Sequence, residues 1–172
     1  MSPPELIELR DVDFITIDTI GPPGQRTFYL QAAQANRIVT LIIEKEHAAA
    51  LSIAISGLLG RFGDMEEEPD LAGMDLIHPV EPLFRVGQLG LGYDQVRDML
   101  VIMAEEVETE GRRRRIKAHI WADRAQMSAL ARKSAAVVAS GRPICPLCNE
   151  PIDPGTKHVC TRGNGRKRIY EV

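Results

Sequence analysis

The pattern of polar and apolar residues over the first 43 positions is dominated by β-type segments. Across residues 13–20, Phe14, Thr16, Asp18 and Ile20 fall on one face and Ile15, Ile17 and Thr19 on the other, the signature of a strand. Gly21-Pro22-Pro23-Gly24 is a turn signal. Residues 26–33, rich in Thr, Phe and Tyr, predict a second strand. Gln34-Ala35-Asn36 turns the chain into a third at 37–43, apolar on both faces and therefore expected in a central position. The period then changes. Across 46–61, Ala48, Leu51, Ile55, Leu58 and Leu59 recur at helical spacing, and Gly60 and Gly63 lie where glycine commonly ends a helix.

Residues 64–80 carry Asp64, Glu66, Glu67, Glu68 and Asp70 and read as an exposed acidic linker. A second pass of the same grammar follows. A strand is expected at 83–89, a turn at Gly90–Asp94, a long strand at 96–107, a charged tip at 108–115 and a strand at 116–121. A helix over 123–139 completes it, with Asp123 and Gln126 at capping-box spacing. Residues 44–51 align with 123–130, so the chain reads as two βββα copies, at 13–63 and 83–140. The fold expectation is α+β: duplicated βββα units in mostly antiparallel sheet, each half covered by a helix. A pocket is expected at the seam between the halves.

The body at 1–140 is followed by a tail at 141–172 of different character. Pro143 breaks the helical pattern. Cys145, Cys148, His158 and Cys160 then form C-x2-C-x9-H-x-C and use all three cysteines of the chain. Thiolates and an imidazole at this spacing close a tetrahedron around Zn²⁺. With four protein ligands no position is left for water, so the expected zinc is structural. It would staple a tail too short to build its own core. The residue after the second knuckle cysteine commonly needs positive φ, which Asn149 tolerates.

Charge and composition narrow the remaining choices. The 172 residues, 44% hydrophobic and 26% charged, suit a globular body with a small appendage. No apolar run reaches the ~18 residues of a membrane span. The acidic start lacks a signal-peptide pattern, so a cytoplasmic location is the default expectation. The net charge of −3 divides into +3 over residues 142–172 and −6 elsewhere. The basic tail makes RNA contact an alternative, although Tyr170 is its only aromatic for stacking. Arg112–Arg115 form the densest basic run, and facing Glu105, Glu106, Glu108 and Glu110 explain it without a ligand. Glu44, Glu46 and His47 gather at a strand-to-helix junction, with His119 and Asp123 at the equivalent place in the second half. Acids there complement a helix dipole more often than they catalyse. No P-loop, dinucleotide fingerprint, H-E-x-x-H or G-x-S-x-G motif occurs.

Two segments carry a resemblance. The run from Gly21 to Gln31, followed by Glu44-Lys45-Glu46, and the closing C-P-x-C…H-x-C of Cys145, Pro146, Cys148, His158 and Cys160 resemble a bacterial family of uncharacterised proteins. That family is a domain of unknown function with a GxPGxRTFYLQ-like motif, and its usual glycine after the second cysteine is Asn149 here. Its members are typically encoded beside a histidine-phosphatase-like protein and a lipid-kinase-like protein. The resemblance therefore implies a protein partner of one of those kinds and work in a phosphate-related pathway. It puts weight on Arg26, whose guanidinium suits a phosphate, and on Gln31. With Glu44 and Lys45 these are the expected ligand-binding residues. The leading expectation is a zinc-containing accessory or adaptor protein. An enzyme acting on a phosphorylated small molecule at the seam is the alternative.

Overall fold

A computed structural model describes residues 5–22, 24–63, 68–111, 115–141, 145–150, 152, 158–160, 162 and 169–170. Its centre is one seven-stranded sheet. The strands are β1 (Glu5–Leu9), β2 (Phe14–Ile20), β3 (Thr27–Gln34), β4 (Arg37–Ile43), β5 (Phe84–Asp94), β6 (Met99–Glu106) and β7 (Ile116–Ala122), in the spatial order β1-β7-β6-β5-β4-β3-β2. Helices α1 (Lys45–Phe62) and α2 (Arg124–Ser140) follow β4 and β7. Two runs of three strands and a helix thus succeed one another in the chain.

Each run is an antiparallel meander, and the runs meet where β4 pairs parallel with β5, Leu41 opposite Phe84 and Ile42 opposite Arg85. The two three-stranded units thus join in a single continuous sheet, with a parallel pairing at their junction. Strand β1 was not expected at all. It lies parallel to β7, Glu5 opposite Ile116 through Leu9 opposite Ile120. Beyond it, the Val12 N–H donates to the Trp121 carbonyl at 3.2 Å and the next N–H, of Asp13, to the Ala33 carbonyl at 2.8 Å. The chain therefore passes from the β7 edge to the β3 side within two residues, and the two ends of the sheet meet there.

The helices reach across the two halves. Helix α2 packs on β2 of the first run and α1 touches β5 of the second, and the helices lie against each other. Ala48, Leu51, Ile55 and Leu59 of α1 and Met127, Leu130, Ala131 and Val137 of α2 join Ile17, Leu30, Leu41, Leu100, Ile102 and Ile120 in one core. Two serines lock the pair reciprocally. Ser134 Oγ donates to the Ala48 carbonyl at 2.6 Å, and Ser52 Oγ donates to the Ala131 carbonyl at 2.8 Å.

The other face of the first meander carries a buried polar row, Thr16, Gln31 and Thr40, aligned across β2, β3 and β4. Of the exposed linker expected at 64–80, residues 64–67 lie outside the described residues, and this row fastens part of the remaining strap, 68–80, to the sheet. Thr16 Oγ1 donates to the Met74 carbonyl (2.5 Å), and the Gln31 amide clamps both backbone groups of Ile77. Met74 and Leu76 are buried beneath this strap, and the Leu83 N–H donates to the Thr40 carbonyl.

The turn expected at Gly90–Asp94 is strand. Gly90 and Gly92 lie against Met103 and Val101 of β6, and a Cβ on Gly92 would come within 3.0 Å of Val101. The chain turns afterwards, where Asp94 Oδ1 accepts from the Val96 and Arg97 N–H groups and Asp98 adopts φ 54°. Among the described residues no helix is long and apolar enough to cross a membrane.

Candidate metal centre and seam pocket

The C-terminal Cys/His residues converge. One ligand atom from each of Cys145, Cys148, His158 and Cys160 lies within 4.8 Å of every other. Cys148 Sγ and His158 Nε2 are 3.3 Å apart. A tetrahedron with arms of ~2.3 Å has edges of about 3.8 Å, so these donors lie close enough together to share one four-coordinate ion. No disulfide competes, since all three cysteines are free.

Local backbone chemistry builds the knuckle. The Asn149 N–H donates to the Cys145 carbonyl and the Cys145 N–H to the Glu150 carbonyl, both at 2.9 Å. Asn149 takes φ 59°, the left-handed conformation expected after the second cysteine. His158–Val159 forms a short strand, β8, paired antiparallel with β9 (Ile169–Tyr170). Cys145, Cys160 and Ile152 are buried together in a cluster separate from the main core. Ile152 had not been singled out from the sequence.

The thiols are tuned unequally. The Cys148 backbone N–H, helped by that of Leu147, pulls the Cys145 thiol down to about 6 against the opposing effect of burial. The Glu150 N–H also favours a Cys148 thiolate, but burial and the neighbouring sulfurs outweigh it and push that thiol up. One sulfur therefore ionises readily and resists a second negative charge beside it. A cation among the sulfurs removes that resistance, so the group can hold a metal ion. Most of the basic residues of the tail, namely Arg142, Lys157, Arg166, Lys167 and Arg168, lie outside the described residues. So do Arg112–Arg114. Of that run Arg115 is described, and it pairs with Glu108 at 3.0 Å.

A second feature lies at the seam. A cavity of about 500 Å³ opens where β4 meets β5, lined among others by Arg26, Glu44, Lys45, Glu46, Arg85 and Gly141. Three of the four expected ligand-binding residues, Arg26, Glu44 and Lys45, thus line one cavity. The Arg26 guanidinium donates to the Val137 carbonyl (3.1 Å) and to Ser140 Oγ (2.9 Å), so it also satisfies the C-terminal end of α2. A Cβ on Gly141 would collide with that guanidinium. Glu44 caps α1, its N–H donating to His47 Nδ1 (3.2 Å), and its carboxylate pairs with Arg85 at 2.8 Å. His47 therefore has a capping role, as Gln126 has toward Asp123 in α2.

Gln31 does not belong to this cavity. It is fully buried, and its amide is spent on Thr40 and Ile77. His119 lies elsewhere on β7, edge-on to Trp121 at 5.7 Å. Arg85 and Gly141 were missed from the sequence, because only the pairing of β4 with β5 and the path of α2 bring them here.

Comparison with curated proteins and with solved structures gives no match. Residues 7–160 match a family described as "Protein of unknown function (DUF3090)". That span takes in most of the chain, including the seam residues and all four Cys/His donors, and the chain accordingly belongs to this family of uncharacterised proteins.

Proposed function

We propose that the protein is a zinc-containing accessory protein, a binding body (1–140) carrying a tail (141–172) organised by one structural Zn²⁺. The observation that supports this most is the closed donor set: three sulfurs and one imidazole within 4.8 Å of one another. Softness and geometry both favour zinc, and with four protein donors the ion has no position for water or substrate. Free thiols around such an ion suit a reducing cytoplasm. Metal analysis of the purified chain tests the reading. About one zinc per chain is expected, lost in Cys145→Ser, with the main core still folded because its apolar cluster is separate. A metal-free chain whose tail stays folded overturns it.

The body is a duplication in this account. Two successive three-strand-and-helix runs support it, as do Glu44 and Asp123 at matching helix starts. An RNA-contacting tail is the weaker alternative, resting on basic residues of which only Arg162 is described, and it predicts binding that weakens steeply with salt.

One observation favours a second reading, in which the body takes a phosphorylated small molecule. Arg26, Lys45 and Arg85 line the same cavity beside the start of α1. Calorimetric titration with sugar phosphates and nucleotides against their unphosphorylated parents tests it. Saturable binding of a phosphorylated compound, lost in Arg85→Ala, supports a ligand site, and heats no different from the neutral parents dismiss it.

A further inference from the structure

Helix α1 is apolar on both sides. Its inner face, Ala48, Leu51, Ile55 and Leu59, is buried in the core. At 100° per residue the opposite face consists of Glu46, Ala50, Ile53, Ala54, Gly57, Gly60 and Arg61, all exposed. Ile53 is 75% exposed, and no charged residue occurs between Glu46 and Arg61. A surface helix normally carries polar residues there, and a helix apolar all round is normally covered. The glycines sharpen the point. Glycine is the poorest helix former after proline, and a Cβ at Gly57 or Gly60 would meet nothing within 4 Å. No atom of the described residues explains their small size. Close approach by another helix does.

The identity of that helix follows from the order of residues on the face. Two copies of α1 laid antiparallel, with the twofold axis passing between Ile53 and Ala54, bring Ala50 against Gly57 and Ile53 against Ala54. The same register brings Glu46 against Arg61 at both ends. Glu46 and Arg61 have no ion-pair partner within the described residues, so each is available to the other. An isologous contact of this kind needs one self-complementary patch, and here the charges and small residues are complementary under one register. We propose that this face of α1 is the interface of a homodimer.

The inference is independent of the metal reading and is tested on the full chain as purified. Sedimentation velocity at about 100 µM is expected to show a species of twice the 19.0 kDa chain mass. Gly57→Glu places a charge and bulk on the seam while leaving the monomer's packing untouched. It should weaken the dimer by at least about tenfold with unchanged circular dichroism. Glu46→Arg and Arg61→Glu should each weaken it, and the double reversal should restore it. A wild-type monomer at that concentration, a dimer indifferent to Gly57→Glu, or a double reversal that fails to rescue overturns the proposal.

Discussion

Gln31→Leu tests how the body is assembled, because it keeps the side-chain volume and removes only hydrogen bonds. Gln31 is fully buried, with its amide donating to Thr40 Oγ1 (3.0 Å) and to the Ile77 carbonyl (3.1 Å) and accepting from the Ile77 N–H (2.7 Å). Leucine leaves both backbone groups of Ile77 without partners. Each orphaned group costs about 1–3 kcal/mol, with the lower end apt here because Ile77 is only half-buried. The expected loss is about 2–3 kcal/mol, a sizeable part of the ~5–15 kcal/mol typical of a folded domain. Urea unfolding reads the global loss, and hydrogen exchange at the Ile77 amide reads the local one. That amide should exchange faster as the 68–80 strap loosens. A loss below about 0.5 kcal/mol with unchanged exchange would show that the strap is held by something other than this amide.

Three further outcomes follow from the same geometry. In metal-free protein the first thiolate, read by ultraviolet absorbance, should appear with a midpoint at about 6 and disappear in Cys145→Ser; a first midpoint near 9.0 would contradict the role of the knuckle amides. Asp98 accepts from Tyr93 Oη (2.5 Å) and from Arg124 (2.8 Å), which hold its carboxyl below the usual 3.8. Because the folded value is depressed, this link contributes fully above pH 3.8 and is lost as pH falls through the lower folded value. Asp98→Asn should flatten the acid limb of the stability profile in that window, and an unchanged limb would refute the link. Ser134→Ala removes the bond to the Ala48 carbonyl at the helix–helix contact and should cost about 1 kcal/mol by chemical unfolding, whereas no measurable loss would leave that contact to packing alone.

Local periodicity was a good guide wherever structure is local. The strands at β2, β3, β4, β6 and β7 and both helices lie within a few residues of their expected bounds, because alternation and 3.6-residue spacing record which face is buried. The Asp123–Gln126 cap and the left-handed Asn149 were legible for the same reason. What failed was non-local. Strand β1 exists because β7, more than a hundred residues later, offers it an edge. Gly90 and Gly92 imitate a turn, but their smallness serves Met103 and Val101 across the ladder. The acidic composition of residues 64–80 concealed Met74 and Leu76, which are buried only because a polar row on the sheet receives the backbone around them. At the sites, the Cys/His spacing specified its own donor set. Arg26, Glu44 and Lys45 were brought to one cavity, while Gln31, next to them in the sequence motif, faces the strap.

The structural-zinc claim is tested most directly by X-ray absorption at the zinc edge of the purified full-length protein. The account predicts three sulfur neighbours at ~2.3 Å and one nitrogen at ~2.0–2.1 Å, with no oxygen in the shell. An oxygen ligand, or only two sulfurs, would mean an open site and would contradict the reading of the Cys145, Cys148, His158 and Cys160 cluster as a closed staple.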